Sequence, residues 1–97
     1  MSAPDGPAAG APPLALLQFP TDYPIKVVGR TSDTLRSRID AIVSAHVPDL
    51  DLSRTTERLS GNGNFQSISY TIRAVSAAQV TTLAMDLKAC PDVMIVI

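Results

Sequence analysis

The chain has 97 residues, of which 18% are charged, and a formal net charge of −1 at pH 7. This length fits one domain, and the eight basic residues are scattered along the sequence, so we expect no DNA partner, and nucleic acid is not the default partner. A single cysteine, Cys90, excludes an intrachain disulfide and a cysteine-rich metal site, which is typical of a reducing compartment such as the cytoplasm.

Residues 1–18 are predicted to be a disordered tail, and residues 19–97 the folded domain. The tail is rich in Ala, Pro and Gly, which give little to bury. Its apolar run, residues 14–17, is too short for the hydrophobic region of a signal peptide. We therefore expect a cytoplasmic protein with no membrane partner.

The first half of the domain predicts a strand, a helix and a second strand. Residues Tyr23–Arg30 are rich in β-branched side chains and predict strand one. Helix one is predicted over Asp33–His46, because apolar residues recur at helical spacing and stop before Pro48. Residues Asp51–Ser60 have few apolar side chains, so they predict an exposed edge strand.

The second half predicts a hairpin, a helix and a last strand. The turn Gly61–Asn64 leads into Phe65–Ala74, where apolar and polar residues alternate as in a strand. A capping box at Ser76 begins helix two, which ends before Pro91. The apolar and β-branched run Asp92–Ile97 predicts strand four.

This order of elements predicts the fold. A β-α-β-β-α-β chain with right-handed crossovers forms an α+β, ferredoxin-like sandwich. Its sheet has four antiparallel strands, its two helices cover one face, and strands one and three are central.

Several short segments between Phe19 and Ile97 resemble, in order and spacing, the YbeD-like family of small bacterial proteins of unknown function. These segments are Phe19-Pro20, Tyr23, Lys26–Gly29, Ser60, Gly63–Ser67 and Pro91–Val93. The resemblance implies an ACT-like ferredoxin fold. The turn lacks the lysine that members often carry beside its glycine, which argues against an anion contact there. Some members are named as lipoate-related regulatory proteins, so that function is one alternative.

Groups that could carry out catalysis are few. His46 is the only histidine, and its position near the end of helix one favours a structural hydrogen bond. Cys90 has only Lys88 as a basic neighbour in the sequence, so we expect a packing residue. The carboxylates are spread over loops and helix ends. We predict no catalytic residue, no metal site and no cofactor, and hence no enzyme.

Two loops allow an interpretation as anion sites. The glycines at 61 and 63 suggest a phosphate cradle, but they lie between two strands, so a tight turn explains them better. In Gly29–Asp33, backbone N–H groups beside Arg30 and Ser32 could bind an anion or simply cap the helix. Both interpretations of this second loop stay open.

RNA-recognition domains share this topology and stack bases on aromatic residues of their central strands. Phe65, Ile68 and Tyr70 match the strand-three positions, but Ser67 replaces the central stacking aromatic residue. Weak RNA binding is therefore an alternative hypothesis.

Alternation along the strands predicts which residues each face of the sheet carries. The helices should cover Ile25, Val27, Ile68, Tyr70, Ile72, Val93 and Ile95. The open face should carry Lys26, Val28, Phe65, Ser67, Ser69, Thr71, Met94 and Val96. The predicted ligand or partner surface is Lys26, Gly29, Arg30, Ser32, Phe65, Ser67, Ser69, Met94 and Val96.

Strand four is predicted to be an unprotected edge, because the apolar run Val93–Ile97 has no lysine or proline to block pairing. We therefore expect a homodimer or another protein partner at this strand, and a small-molecule ligand stays open. The alternative is that Leu14, Leu16, Leu17 and Phe19 cover the open face or its edge within one chain. The main hypothesis is a non-catalytic regulatory or interaction module.

Overall fold

The computed structural model describes residues 16–97. The elements are β1 (Thr21–Arg30), α1 (Leu35–His46), a 3-10 helix (Leu52–Arg54), β2 (Thr56–Leu59), β3 (Phe65–Ala74), α2 (Ala77–Lys88) and β4 (Val93–Val96). The sheet is antiparallel, in the order β2-β3-β1-β4. The predicted ferredoxin-like architecture with strands one and three central is confirmed. The predicted tail lies outside the described residues, apart from residues 16–18.

The two central strands pair without interruption over ten residues, from Thr21 with Ala74 to Arg30 with Phe65. From Tyr23 in β1 and from Gln66 in β3, every second residue faces the helices and is buried, because side-chain direction in a strand has a period of two. The buried core includes Ile25, Val27, Ile68, Tyr70 and Ile72 from the sheet, Leu35, Ile39 and Val43 from α1, and Val80, Leu83 and Leu87 from α2. The covered face predicted for β1 and β3 is confirmed.

The prediction for strand two is wrong in its first half, where residues Leu52–Arg54 form a 3-10 helix. The Asp51 carboxylate accepts hydrogen bonds from the hydroxyl of Ser53 at 2.6 Å and from its backbone N–H at 3.0 Å. These bonds lower the pKa of Asp51. A side chain that bonds to the backbone two residues on stabilises a turn in place of an extended strand. Only Thr56–Leu59 remains to pair with β3.

The two helices begin differently. The Ser76 hydroxyl accepts a hydrogen bond from the backbone N–H of Gln79 at 3.1 Å, and the Gln79 side chain accepts one from Val75 N–H at 2.7 Å. The first bond is the Ser76 cap predicted from the sequence, and the second joins Gln79 to the residue before the cap instead of to Ser76 itself. Helix α1 begins later than predicted, at Leu35, and its N-cap residue Thr34 makes no side-chain capping bond.

The alternation predicted for strand four is wrong. In its pairing with β1, Val27 lies opposite Val96 and Val28 lies opposite Ile95, and the register then shifts between Val28 and Gly29. Val96 therefore packs against the core, and Ile95 is 50% exposed on the open face. Both positions are the reverse of the prediction, because one extra residue in a strand inverts every face beyond it.

Close packing at Gly29 accompanies this irregularity. A Cβ atom on Gly29 would lie 2.7 Å from the carbonyl oxygen of Asp92 and 3.2 Å from Cδ2 of Leu35. The same Asp92 carbonyl accepts the backbone N–H of Arg30 at 2.9 Å. Only a residue without a side chain allows the start of β4 to lie this close to β1.

The segment before β1 packs on the helix side of the sheet. Leu17 and Phe19 are partly buried against the core, and Leu16 is exposed. Leu14 lies outside the described residues. Leu17 and Phe19 therefore do not cover the open face, which was one of the two placements, open face or edge, that the alternative hypothesis allowed.

Candidate functional site

The sheet face opposite the helices carries side chains from all four strands. Residues paired across antiparallel strands lie side by side on the same face, which defines two rows. The rows are Arg58, Ser67, Val28 and Ile95, and then Thr56, Ser69, Lys26 and Ile97. Within residues 16–97, both helices lie on the other side of the sheet. Among the described residues, this open face is therefore not covered by a helix.

A cavity of about 320 Å³ lies on the open face beside the β2–β3 hairpin. It is lined by Lys26, Val28, Arg58, Leu59, Ser60, Gly61, Phe65 and Ser67. Three of the predicted site residues, Lys26, Phe65 and Ser67, are thus brought together. Arg58 was not predicted. Its pairing with Ser67 across the hairpin places it on the open face.

The other predicted residues lie apart from this cavity. Ser69 lines a separate hollow of about 200 Å³, together with Lys26. Arg30 and Ser32 are exposed but do not line either space. Met94 is exposed on the β4 edge, and Val96 packs against the core. The structure therefore divides the predicted surface into an open-face cavity, a loop and an edge.

Two carboxylates, those of Asp40 and Glu57, lie on the covered side of the sheet and are held by hydrogen bonds there. Arg36 Nε donates to the Asp40 carboxylate at 2.9 Å, and its Nη1 donates to Glu57 Oε1 at 2.8 Å. Gln66 also donates to Glu57, and the Tyr70 hydroxyl donates to Asp40. Burial raises the pKa of Tyr70, and the hydrogen bond to Asp40 raises it further. These two carboxylates are therefore occupied on the covered side.

The β1–α1 loop uses two of the N–H groups that were predicted to bind an anion. Arg30 N–H donates to the Asp92 carbonyl at 2.9 Å, and Thr31 N–H donates to the Asn64 carbonyl at 3.1 Å. Gly29 is buried against Asp92. The loop thus offers fewer backbone donors than the sequence indicated.

The hairpin turn is likewise closed by its own hydrogen bonds. The side-chain oxygen of Asn62 accepts from the Ser60 hydroxyl at 2.9 Å and from Asn64 N–H at 3.1 Å. Gly63 has a φ of 77°, which favours glycine. These contacts fit the tight turn rather than the phosphate cradle.

His46 connects the two helices. Its Nε2 lies 2.6 Å from Oδ2 of Asp86 on α2, and its backbone carbonyl accepts the Gln79 side chain at 2.9 Å. The hydroxyls of Ser67 and Ser69, which belong to the predicted binding surface, lie on the open face, opposite the helices. The histidine therefore has a structural partner and lies apart from those hydroxyls.

Cys90 has a basic neighbour that the sequence did not indicate. Its thiol is buried, and Nη1 of Arg38 lies 3.7 Å from Sγ. Arg38 Nη2 also donates to Asp92 at 2.5 Å, and this hydrogen bond raises the pKa of Arg38. The guanidinium thus joins helix α1 to the segment before β4. The partners are more than fifty residues apart in the sequence, so the sequence alone does not indicate the contact.

Within residues 16–97, no three His, Cys, Asp or Glu side chains are close enough together to hold a metal ion. None of the helices in this part of the chain has the length and apolar character needed to cross a bilayer.

Comparison with known proteins identifies the family. Residues 15–97 match the family described as "Protein of unknown function (DUF493)". The chain belongs to this family. Relatives named UPF0250 protein include one from Hahella chejuensis, 36% identical over 81 residues, which cover 84% of this chain and 89% of the relative. Another, from Ectopseudomonas mendocina, is 37% identical over 82 residues, with the same two coverages. The predicted YbeD-like relationship is confirmed.

Solved structures similar to this DUF493 chain share its fold. Protein HP0495 from H. pylori aligns with a TM-score of 0.67 at 13% identity, covering 98% of each chain. The ACT domain from the GTP pyrophosphokinase of Chlorobium tepidum aligns with a TM-score of 0.62 at 18% identity, covering 76% of this chain and 80% of that domain. These similarities establish an ACT-like fold.

Proposed function

We propose that this protein is a non-catalytic interaction module that forms a homodimer through the outer edge of β4. The observation that carries the proposal is an edge strand with exposed apolar side chains and no charge. Met94, Ile95 and Ile97 are 52%, 50% and 45% exposed. Edge strands that stay unpaired usually carry a charge, a proline or a cover.

The backbone of β4 has one side available for pairing. Lys26 N–H donates to the Ile97 carbonyl at 3.0 Å, and Ile97 N–H donates to the Lys26 carbonyl at 2.9 Å. In an antiparallel ladder such a pair alternates with one that makes no bonds between the two strands. Val96, opposite Val27, is at that alternate position, so its N–H and C=O point to the outer edge.

The opposite edge of the sheet differs in the way expected of a protected strand. Glu57 and Arg58 lie in the middle of β2, and Glu57 is held by Arg36. Charged side chains on a short edge strand disfavour pairing with another chain. The proposal therefore concerns β4 and leaves β2 unpaired.

A second copy of the chain is the partner that fits the β4 edge. Two β4 strands related by a two-fold axis run antiparallel, so each supplies the same outward groups to the other. Beside the edge, an apolar groove of about 280 Å³ separates β4 from α2, with Met85 and Ala84 among its lining residues. Apolar side chains of the second copy would find matching surface there.

Sedimentation velocity over a concentration series tests the proposal. The wild-type chain should change from monomer to dimer as its concentration rises. Met94→Lys places a charge on the β4 edge and should keep the chain monomeric at every concentration. Leu59→Lys is the matched control, since it adds the same charge to the exposed β2 edge and should leave the dimer intact.

A wild-type chain that is monomeric at all concentrations would refute the dimer. Loss of the dimer in Leu59→Lys but not in Met94→Lys would place the interface on β2 instead. Unfolding in urea at a concentration where the wild type is monomeric should show that both variants retain the wild-type transition.

The proposed role is regulatory and non-enzymatic, in the bacterial cytoplasm. In its support, His46 is engaged with Asp86, and the described residues contain no metal-ligand cluster. Cys90 is a free cysteine, which suits a reducing compartment. The similar ACT domain is one named domain of an enzyme, the GTP pyrophosphokinase of Chlorobium tepidum.

A further inference from the structure

The fold sorts charges by face in a way that the sequence conceals. Within residues 16–97, the open face carries four basic residues and one acidic residue, Asp22, by strand register. The basic residues are Lys26, Arg30, Arg58 and Arg73. Asp22 is already shared by Arg73 at 3.5 Å and Arg54 at 3.6 Å. One face of a chain with a net charge of −1 is therefore cationic.

Two of these cations line the open-face cavity, and neither is neutralised by the described residues. Within residues 16–97, no carboxylate lies within 4.0 Å of Lys26 or Arg58. Glu57 is adjacent to Arg58 in the sequence, but it points to the covered side and binds Arg36 and Gln66. The alternation along β2 thus separates the cation from the nearest carboxylate.

The remaining lining residues define what else the cavity can bind. Phe65 is 37% exposed, and its ring, together with Val28, gives the cavity an apolar wall. The Ser67 hydroxyl makes no hydrogen bond to another side chain within residues 16–97, so it can donate to a ligand. A volume of about 320 Å³ is at the small end of ligand sites.

We propose that this open-face cavity binds a small organic anion, made of a phosphate or carboxylate group joined to a flat apolar group. Lys26 and Arg58 bind the anionic group through charge-assisted hydrogen bonds, and Ser67 adds a neutral donor. The flat group lies against Phe65. The binding site is on the sheet face and does not depend on pairing at β4.

A small molecule fits this surface better than a single-stranded nucleic acid. Protein sheets that bind single-stranded nucleic acids stack successive bases on several aromatic side chains. Phe65 is the sole aromatic side chain on this face among the described residues, because Tyr23 and Tyr70 are buried in the core. A single aromatic ring beside a single pair of cations suits a small ligand with one flat group and one anionic group.

Titration with a matched pair of probes tests the inference. The probes are 1-naphthyl phosphate and the uncharged 1-naphthol, added to ¹⁵N-labelled protein and followed by amide NMR shifts. The phosphate should bind at least about tenfold more tightly than the alcohol, since charge-assisted hydrogen bonds distinguish them. The largest shifts should occur at Gly61, Phe65 and Ser67.

Variants then identify the cations. Lys26→Gln with Arg58→Gln should weaken 1-naphthyl phosphate about tenfold or more and leave 1-naphthol unchanged. Lys88→Gln, which removes an exposed cation from α2, should change neither probe by more than about twofold. Phe65→Leu should weaken both probes.

Several outcomes would overturn the inference. These are equal affinity for the two probes, no binding of 1-naphthyl phosphate at 10 mM (roughly the weak limit of useful affinity), or shifts confined to the groove between β4 and α2. Tighter binding of a short oligouridylate than of 1-naphthyl phosphate would also overturn it and indicate a nucleic-acid surface. Titrations of the monomeric Met94→Lys variant keep this result separate from that of the dimer.

Discussion

The two faces of the sheet use charge in opposite ways. On the covered face, Arg36, Asp40, Glu57 and Tyr70 form one hydrogen-bonded group between α1 and the sheet. On the open face, Lys26 and the cations near it have no carboxylate partner among the described residues other than Asp22. The comparison indicates that charges on the covered face serve packing, whereas those on the open face are available for binding.

The largest expected effect concerns the apolar side chains of the two faces. Leu83 on α2 is fully buried, so Leu83→Ala should lower the free energy of unfolding by about 3 kcal/mol, mainly through the cavity that it leaves. Val28 on the open face is only half-buried, so Val28→Ala should cost less than about 1 kcal/mol. Urea unfolding of dilute protein measures both, and similar costs would mean that the open face is covered in solution.

A second, smaller effect separates the charges of the two faces. Asp40→Asn leaves Arg36 and Tyr70 with a weaker acceptor in a half-buried position, so it should cost about 2 kcal/mol of unfolding free energy. Asp22→Asn removes two exposed and long ion pairs, so it should cost less than about 0.5 kcal/mol. Thermal and urea unfolding of the pair at neutral pH measure the difference. Equal losses of unfolding free energy in the two variants would contradict the view that charges stabilise packing only on the covered face.

The smallest effect is a dependence on alkaline pH. Burial raises the pKa of Tyr70 in the folded state, so the unfolded chain loses this proton first, near pH 10 (about the ordinary value for tyrosine). The contribution of this proton to stability is therefore complete below that pH and declines as the pH rises above it. Tyr70→Phe should reduce the decline in unfolding free energy measured between about pH 9.5 and pH 11.

Burial also raises the pKa of Tyr23, so Tyr23→Phe is the matched variant and should remove a smaller part of the decline. An unchanged slope in Tyr70→Phe would show that the covered-face phenol does not control alkaline stability.

The architecture could be predicted because most elements carry strong local patterns. β3 alternates over its whole length, and α2 has a cap at Ser76 that the structure reproduces. The two errors arise where another interaction is stronger than the pattern. Asp51 bonds to Ser53 where the chain turns before β2, and the Asp92 carbonyl packs against Gly29 where the register of β4 shifts.

The site was only partly predictable for a related reason. Lys26, Phe65 and Ser67 follow from alternation on the two longest strands. Arg58 depends on the register of a short strand, and the cationic face depends on which way Glu57 turns. Basic residues that are far apart in the sequence become neighbours only when the strands are paired.

Gly29 has a consequence for anyone who redesigns this scaffold. The close approach that it allows accompanies the register shift that exposes Ile95 and turns Val96 towards the core. A library that varies the β4 surface while also changing residue 29 would disturb this contact, because a Cβ atom there would lie 2.7 Å from the Asp92 carbonyl oxygen. Keeping glycine at this position keeps the backbone of β4 unchanged while its side chains are varied to select new binding specificities.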